Sequence, residues 1–189
     1  IGALAFGTES IAPADIIVGP GNQWVTEAKR QVSGNVGIDF IAGPSEVLII
    51  ADDTANPKFI AADLLAQSEH DPQARGILIS TDDKLIQSVL VHLEEFLEHL
   101  PTAPVARKAW ENNGEIYLVG LIDEAVELSN KIAPEHLELN ISNPDIIIPR
   151  LNNYGSLFIG NWAAEVLGDY VSGTNHILPT MRAARYTGG

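Results

Sequence analysis

The stretch SEVLIIADDTANPKFIAADLLAQSEHDPQARGILIS, residues 45–80, decides the fold class. Val47 to Ile50 is continuously aliphatic, as expected of a strand covered on both faces. Asn56-Pro57 then supplies a helix N-cap followed by proline at the first helical position, where no intrahelical N–H is needed. The helix is predicted to reach about Glu69, and Gly76 to Ser80 reads as the next strand. Strand, helix and strand in that order argue for α/β layering.

The same alternation extends in both directions. Downstream, Asp82 to Leu100 is predicted as the longest helix. Leu85, Ile86, Val89, Leu90, Leu93, Phe96 and Leu97 recur there at three- and four-residue steps. Glu115 to Val119 reads as a strand, Ile122 to Ile132 as a helix, and Leu137 to Ile141 and Leu157 to Ile159 as extended. From Asn161 onward no long periodic element is expected. Upstream, Ile16 to Val18 is a short strand ending in Gly19-Pro20-Gly21-Asn22, and Asn22 is placed to cap a helix over Gln23 to Val32. Gly43-Pro44 is a strong breaker. The expected division is a partial α/β domain at 1–44 and a main α/β domain at 45–189.

Composition narrows the function. The chain has 189 residues, 46% of them hydrophobic, which suits a folded globular protein. Eleven Lys and Arg against 25 Asp and Glu leave a formal charge of −14. Nucleic acid is therefore disfavoured as a main partner, since a phosphate backbone needs clustered cations, and an anionic membrane surface is disfavoured likewise. Without Cys there is no disulfide, thiol nucleophile or thiolate metal site. No run approaches the ~20 apolar residues of a membrane span, so a cytoplasmic protein is expected. Ile1 in place of an initiator Met, and the bare Thr187-Gly188-Gly189 end, suggest a piece of a longer polypeptide.

Four places could carry chemistry. The Gly19–Asn22 loop is either a structural turn with Asn22 capping or a contact for an anionic ligand at a helix start. Gln67 and His70, three apart near a helix end, share a face and could offer oxygen and nitrogen to a metal such as zinc. The alternative is that His70 caps the helix C-terminus. Glu135-His136 interrupts apolar sequence with a carboxylate and an imidazole, suited to activating water and moving a proton near neutrality, or else forming an exposed corner. Finally, Asp169 and His176 lie in a Gly-rich segment. Asp169 could give a further oxygen ligand, while His176 could donate to a substrate or hold its loop.

These motifs occur in a specific order. Gly7-Thr8-Glu9-Ser10, Gly19-Pro20-Gly21-Asn22, Ala42-Gly43-Pro44-Ser45-Glu46 and Ala61-Ala62-Asp63-Leu64-Leu65 come first. Gln67-Ser68-Glu69-His70, Ala133-Pro134-Glu135-His136-Leu137-Glu138 and Gly168-Asp169-Tyr170 follow. The ordered set resembles the histidinol dehydrogenase superfamily over essentially the whole length, as a central piece lacking an N-terminal region and a C-terminal tail. The resemblance implies incomplete Rossmann-like layered sheets with flanking helices, the 1–44 domain being on the nucleotide side. It implies NAD-linked, zinc-dependent oxidation of L-histidinol through the aldehyde to L-histidine. It also implies a homodimer in which the partner's tail supplies a further histidine ligand.

Residue by residue, the resemblance makes Gln67, His70 and Asp169 zinc ligands, Glu135 and His136 the catalytic pair, and Asn22 an NAD contact. Ser45, Gln67, His70, His136 and Asp169 match substrate-contact positions, and His176 remains a second-line candidate. Asn153-Tyr154-Gly155-Ser156 and the 183–189 stretch look closer to relatives that oxidise other small polyols, including a sulfonated propanediol. Two alternatives therefore accompany the main reading: a related polyol dehydrogenase, and a non-catalytic metal-binding or structural fragment.

Overall fold

A computed structural model describes residues 1–19, 21–170, 173 and 178–187, with the backbone alone for Asp169 and Tyr170. Backbone contacts divide the chain into two compact units, Ile1–Gly43 and Pro44–Gly188.

The first unit contains α1 (Gly2–Phe6), β1 (Ile16–Ile17), α2 (Gln23–Val32) and β2 (Gly37–Ile38). β1 and β2 pair in parallel, Ile16 opposite Gly37. A small core of Ala5, Ile17, Val32 and Val36 holds them. The Asn22 side chain accepts from the N–H groups of Trp24 and Val25, so it caps α2. Gly21 is required there: a Cβ would lie 2.5 Å from the Val25 side chain. The loop ahead of α2 is pinned by Lys29, only 4% exposed. Its Nζ donates to the Asp39 carboxylate at 2.7 Å and to the Gly19 carbonyl at 2.5 Å. Asp39 in turn accepts from the Gly19 N–H at 2.8 Å.

The second unit contains β3 (Glu46–Ala51), α3 (Pro57–Ser68), β4 (Arg75–Ser80), α4 (Asp83–Leu97) and α5 (Ala103–Asn113). It continues with β5 (Glu115–Leu118), α6 (Ile122–Ile132), β6 (His136–Asn140), β7 (Ser156–Ile159) and the one-turn α7 (Val166–Tyr170). Its five strands form one parallel sheet in the order β5-β4-β3-β6-β7. One face buries Val47, Ile49 and Leu78 against Leu64 of α3, Val89 and Leu93 of α4, and Ala106 of α5. The other buries Leu48, Ile50, Leu137 and Leu139 against Val126 of α6 and Ile147 and Leu151 of the 3₁₀ turns that follow β6. Every residue of β3 is buried, which is why its sequence runs aliphatic without alternation. The α/β class expected of the sequence is the one observed.

One element and two boundaries differ from expectation. No element was expected between Leu100 and Glu115, yet α5 lies there. Its packing face includes the buried Ala106 and Ala109, too small to register as a hydrophobic stripe. His136 belongs to β6 rather than to the corner before it. α4 also ends three residues earlier than expected, at Leu97. No helix among the described residues is long and apolar enough to cross a membrane.

The chain turns back at the middle of the sheet. β3, β4 and β5 step outward one way, while β6 and β7 step the other way from β3. In open α/β sheets ligands usually enter beyond the C-terminal strand ends at such a reversal. Here Asp52 bridges that end, accepting from the Ser142 N–H at 2.8 Å and from its hydroxyl at 2.9 Å. The polar chemistry lies at the opposite edge.

Lys29→Ala tests the pinning of the first unit. It strands a nearly buried Asp39 carboxylate and should cost roughly 3–5 kcal/mol. Amide exchange at Ile17, Val32 and Val36 should accelerate accordingly, with Ile49 and Leu78 of the second unit as internal controls. Unchanged exchange in the first unit would show that the ion pair is dispensable.

Candidate functional site

Glu46, the first residue of β3, lies beside the start of β6, since Val47 pairs with His136. Both main-chain groups of Glu46 are taken by the neighbouring corner. Its N–H donates to Glu135 Oε2 at 2.9 Å, and its carbonyl lies 3.0 Å from His136 Nδ1. A carbonyl only accepts, so Nδ1 carries the proton and Nε2 is the basic nitrogen of the neutral ring. Glu165 Oε1 stands 3.6 Å from that Nε2. The ring also packs against Phe158 of β7, with centroids 6.0 Å apart. Neither member of the pair is exposed: Glu135 and His136 are each 5% accessible.

Local backbone explains how the corner is held. Ala133 closes α6 in the left-handed region at φ 54°, which turns the chain toward Pro134 and Glu135. The next strand approaches closely: Gly155 N–H donates to the Pro134 carbonyl and Ser156 N–H to the Glu135 carbonyl. A Cβ on Gly155 would sit 2.5 Å from the Glu135 oxygen, so only glycine fits. From the C-terminal segment, Met181 donates its N–H to Glu46 Oε1 at 3.2 Å. Met181 and Arg182 both adopt positive φ, 51° and 67°, a conformation costing about 1–3 kcal/mol per non-glycine residue.

Charge is concentrated here at unusual depth. Burial, reinforced by the negative charges of Glu165 and Glu46, lifts the Glu135 carboxyl to about 8. The Glu46 N–H and the Ser45 hydroxyl oppose that rise by hydrogen bonding it. Burial likewise raises Glu46. Glu135 is thus poised to exchange a proton near neutral pH, where an ordinary carboxylate cannot.

The other expected residues are placed as follows. Ser45 hydrogen-bonds Glu135. Gln67 is fully buried on α3, and neither its amide oxygen nor its nitrogen has a hydrogen-bond partner. His70 lies exposed in the turn after α3. Asp169 falls within α7, its side chain outside the described atoms, and His176 lies outside the described residues. Among the described residues no three His, Asp or Glu side chains gather as a metal cage. Asn22 caps α2 in the first unit. His92 pairs with Glu95 at 2.8 Å on α4, and His99 is exposed in the turn after that helix.

Sequence reasoning did not single out Glu46, Glu165, Glu138 or Asp63. Glu138 carried a readable signal, because an acid between Leu137 and Leu139 must share a strand face with His136. Glu46 and Glu165 carried none, since only tertiary packing buries them.

Comparison with known proteins places the chain among relatives. The histidinol dehydrogenase family model matches residues 1–189. Histidinol dehydrogenase 1 of Trichormus variabilis is 51% identical over 189 residues, covering 100% of this chain and 44% of that protein. The Rhizobium meliloti histidinol dehydrogenase is 53% identical over the same coverage. The crystal structure of histidinol dehydrogenase from Elizabethkingia anophelis superposes with a TM-score of 0.92 at 47% identity, covering 98% of this chain and 43% of that one. The chain thus spans less than half the length of these relatives.

The buried acid has a measurable consequence for stability. Between its ordinary value of 4.5 and about 8, folded Glu135 keeps a proton that the unfolded chain has lost. The folded state binds more protons in that window, so stability falls as pH rises through it. Glu135→Gln should flatten the decline of Tm between about pH 5 and pH 8. An identical slope in the variant would show that Glu135 ionises normally.

Proposed function

The chain belongs to the histidinol dehydrogenase family, and from that premise we propose that it forms the acid–base core of a zinc-dependent, NAD-linked enzyme oxidising L-histidinol through the aldehyde to L-histidine. One observation carries the reading. The Glu46 carbonyl fixes the proton on His136 Nδ1, which leaves Nε2 as a base inside a buried pocket of acids.

The residues present suit the implied groups. Gln67 offers a fully buried amide without a partner, an orphan that a metal would satisfy. With His70 and Asp169 it makes a nitrogen and oxygen donor set of the kind zinc accepts. These three residues would hold the metal, and a histidine from a second copy's tail would complete the set. When bound, zinc supplies Lewis acidity and a template for the substrate's amine and imidazole. Asn22, at the start of α2 beside a glycine turn, suits contact with NAD, which supplies the hydride acceptor.

The protein's own groups then divide the work. His136 Nε2 takes the alcohol proton as hydride leaves the carbon, in both oxidation stages. Between the stages the aldehyde must gain water. Glu135, held by the Glu46 N–H and the Ser45 hydroxyl, removes a proton from that water. Ser45 and Gln67 line the substrate's side of the same reading. Burial keeps competing water away and strengthens each contact.

The full-length protein with NAD and zinc tests this directly. NADH should form from L-histidinol and from supplied histidinal. His136→Ala should depress both stages by roughly 10²–10⁴-fold, the usual contribution of a general base. Glu135→Gln should chiefly impair the aldehyde stage. Undiminished aldehyde turnover in that variant would remove the water-activating role. A preference of more than about 100-fold in kcat/KM for a sulfonated propanediol would transfer the chemistry to the polyol reading.

A further inference from the structure

The Glu46 side chain holds a turn whose residues do not favour its shape. Ala183 donates its N–H to the Thr180 carbonyl at 2.9 Å, closing a turn over Thr180-Met181-Arg182-Ala183. Both central residues have positive φ, 51° at Met181 and 67° at Arg182, as in a type I′ turn. Such turns ordinarily take Gly, Asn or Asp at these places, because other side chains crowd the backbone there. Methionine and arginine lack that tolerance, so the conformation persists only where its surroundings impose it. Met181 itself is 62% exposed, so packing of its side chain does not hold the turn. The contact that does is the Met181 N–H on Glu46 Oε1, at 3.2 Å. Glu46 is 6% exposed, and its other carboxyl oxygen, Oε2, is buried without a hydrogen-bond partner among the described residues. An orphaned buried oxygen weakens the fold, which stability alone does not explain.

The turn carries a wall of the Glu135 corner. Leu178, Thr180 and Ala183 are each no more than 5% exposed, so the segment packs inward on both sides of the turn. The place that a Gly155 Cβ would take is bounded by the Glu135 carbonyl at 2.5 Å and by Leu178 Cβ and Pro179 Cδ at 3.1 Å each. Segment and corner thus meet around one glycine. Glu46 grips both, with its N–H on Glu135 Oε2 at 2.9 Å and its side chain on Met181.

We propose that Glu46 is a positioning residue: its carboxyl locks the strained Met181-Arg182 turn and so seats Leu178 and Pro179 against the Glu135 corner for the addition of water to the aldehyde. The inference rests on the function proposed above. In this role Glu46 neither takes a proton nor meets the substrate. It acts through Glu135, whose place between the Glu46 N–H and the closing segment sets where water is deprotonated. His136 is held by the Glu46 carbonyl and packs on Phe158, so the alcohol stage, which needs His136 alone, depends less on the turn.

Three changes in the full-length protein test this: Glu46→Gln, Glu46→Ala, and a turn exchange of Met181→Asn with Arg182→Gly. Asn-Gly favours a type I′ turn by itself, so the exchange should make the anchor dispensable. In hydrogen exchange without substrate, the Met181 amide should exchange at least about tenfold faster in Glu46→Ala than in wild type. Glu46→Gln keeps the accepting oxygen and should match wild type in exchange and in turnover. Glu46→Ala should lower kcat for supplied histidinal about tenfold or more, with KM unchanged and a smaller loss on L-histidinol. Adding the turn exchange to Glu46→Ala should recover the aldehyde rate, a rescue that general loosening would not allow. If Glu46→Ala folds only in the turn-exchanged background, a wild-type aldehyde kcat there is the expected result. Unchanged Met181 exchange in Glu46→Ala overturns the inference, as does an aldehyde rate that the turn exchange fails to recover. Equal losses in the two stages overturn it too. Absence of NADH from L-histidinol in the wild-type protein would instead defeat the underlying function, while amide exchange would still decide whether Glu46 holds the turn.

Discussion

The site depends on the main chain of one residue, Glu46 at the head of β3. Its N–H holds Glu135 and its carbonyl holds His136, so the two side chains at the start of β6 are fastened to the backbone of the neighbouring strand. Strand pairing therefore sets the geometry of Glu135 and His136 without any dedicated scaffold. It also selects the imidazole tautomer, because a carbonyl accepts only from a protonated Nδ1. The constraint reaches further through sterics. Gly155 must lack a side chain so that β7 can close on Glu135, and Ala133 must accept a left-handed turn so that α6 can deliver the corner.

That arrangement concentrates acids where water is scarce. Glu46, Glu135, Glu138 and Glu165 are each no more than 8% exposed. Ionising all of them together would carry a desolvation and repulsion cost larger than a domain's whole stability can absorb. Protonation relieves the conflict: burial moves Glu46, Glu135 and Glu138 upward, Glu135 to about 8. The same feature that weakens the fold at higher pH gives the site its exchangeable protons. Stability and proton chemistry are thus two readings of one burial.

Much of this was legible in the sequence, and the parts that were not share a physical cause. The aliphatic run of β3, the Asn56-Pro57 start of α3 and the periodic face of α4 are local signals, and each produced the expected element. Asn22 was readable as a cap because capping needs only the next three residues. α5 escaped because alanine packs well yet scarcely alters hydrophobic patterning. The Glu135-His136 pair stood out as a polar interruption, but its burial did not, because that depends on β3, β7 and the segment at Met181 closing around it. Glu46 is 89 residues from Glu135, a separation across which spacing carries no information.

The edge of the sheet that carries the chemistry follows from what occupies the other edge. At the reversal between β3 and β6, the C-terminal ends are tied by Asp52 to Ser142, and Asp52 is further engaged by Thr54. A carboxylate already saturated by four donors from the two strands' own loops leaves little to offer a ligand there. At the N-terminal ends the opposite holds. Strand starts expose main-chain groups before the ladder begins, and those of Glu46 are available to fasten side chains. The alternation of β6 then carries polar groups inward from that edge, through Glu138 to Asn140, beneath α3. An interior strand with three polar residues on one buried face is costly to fold.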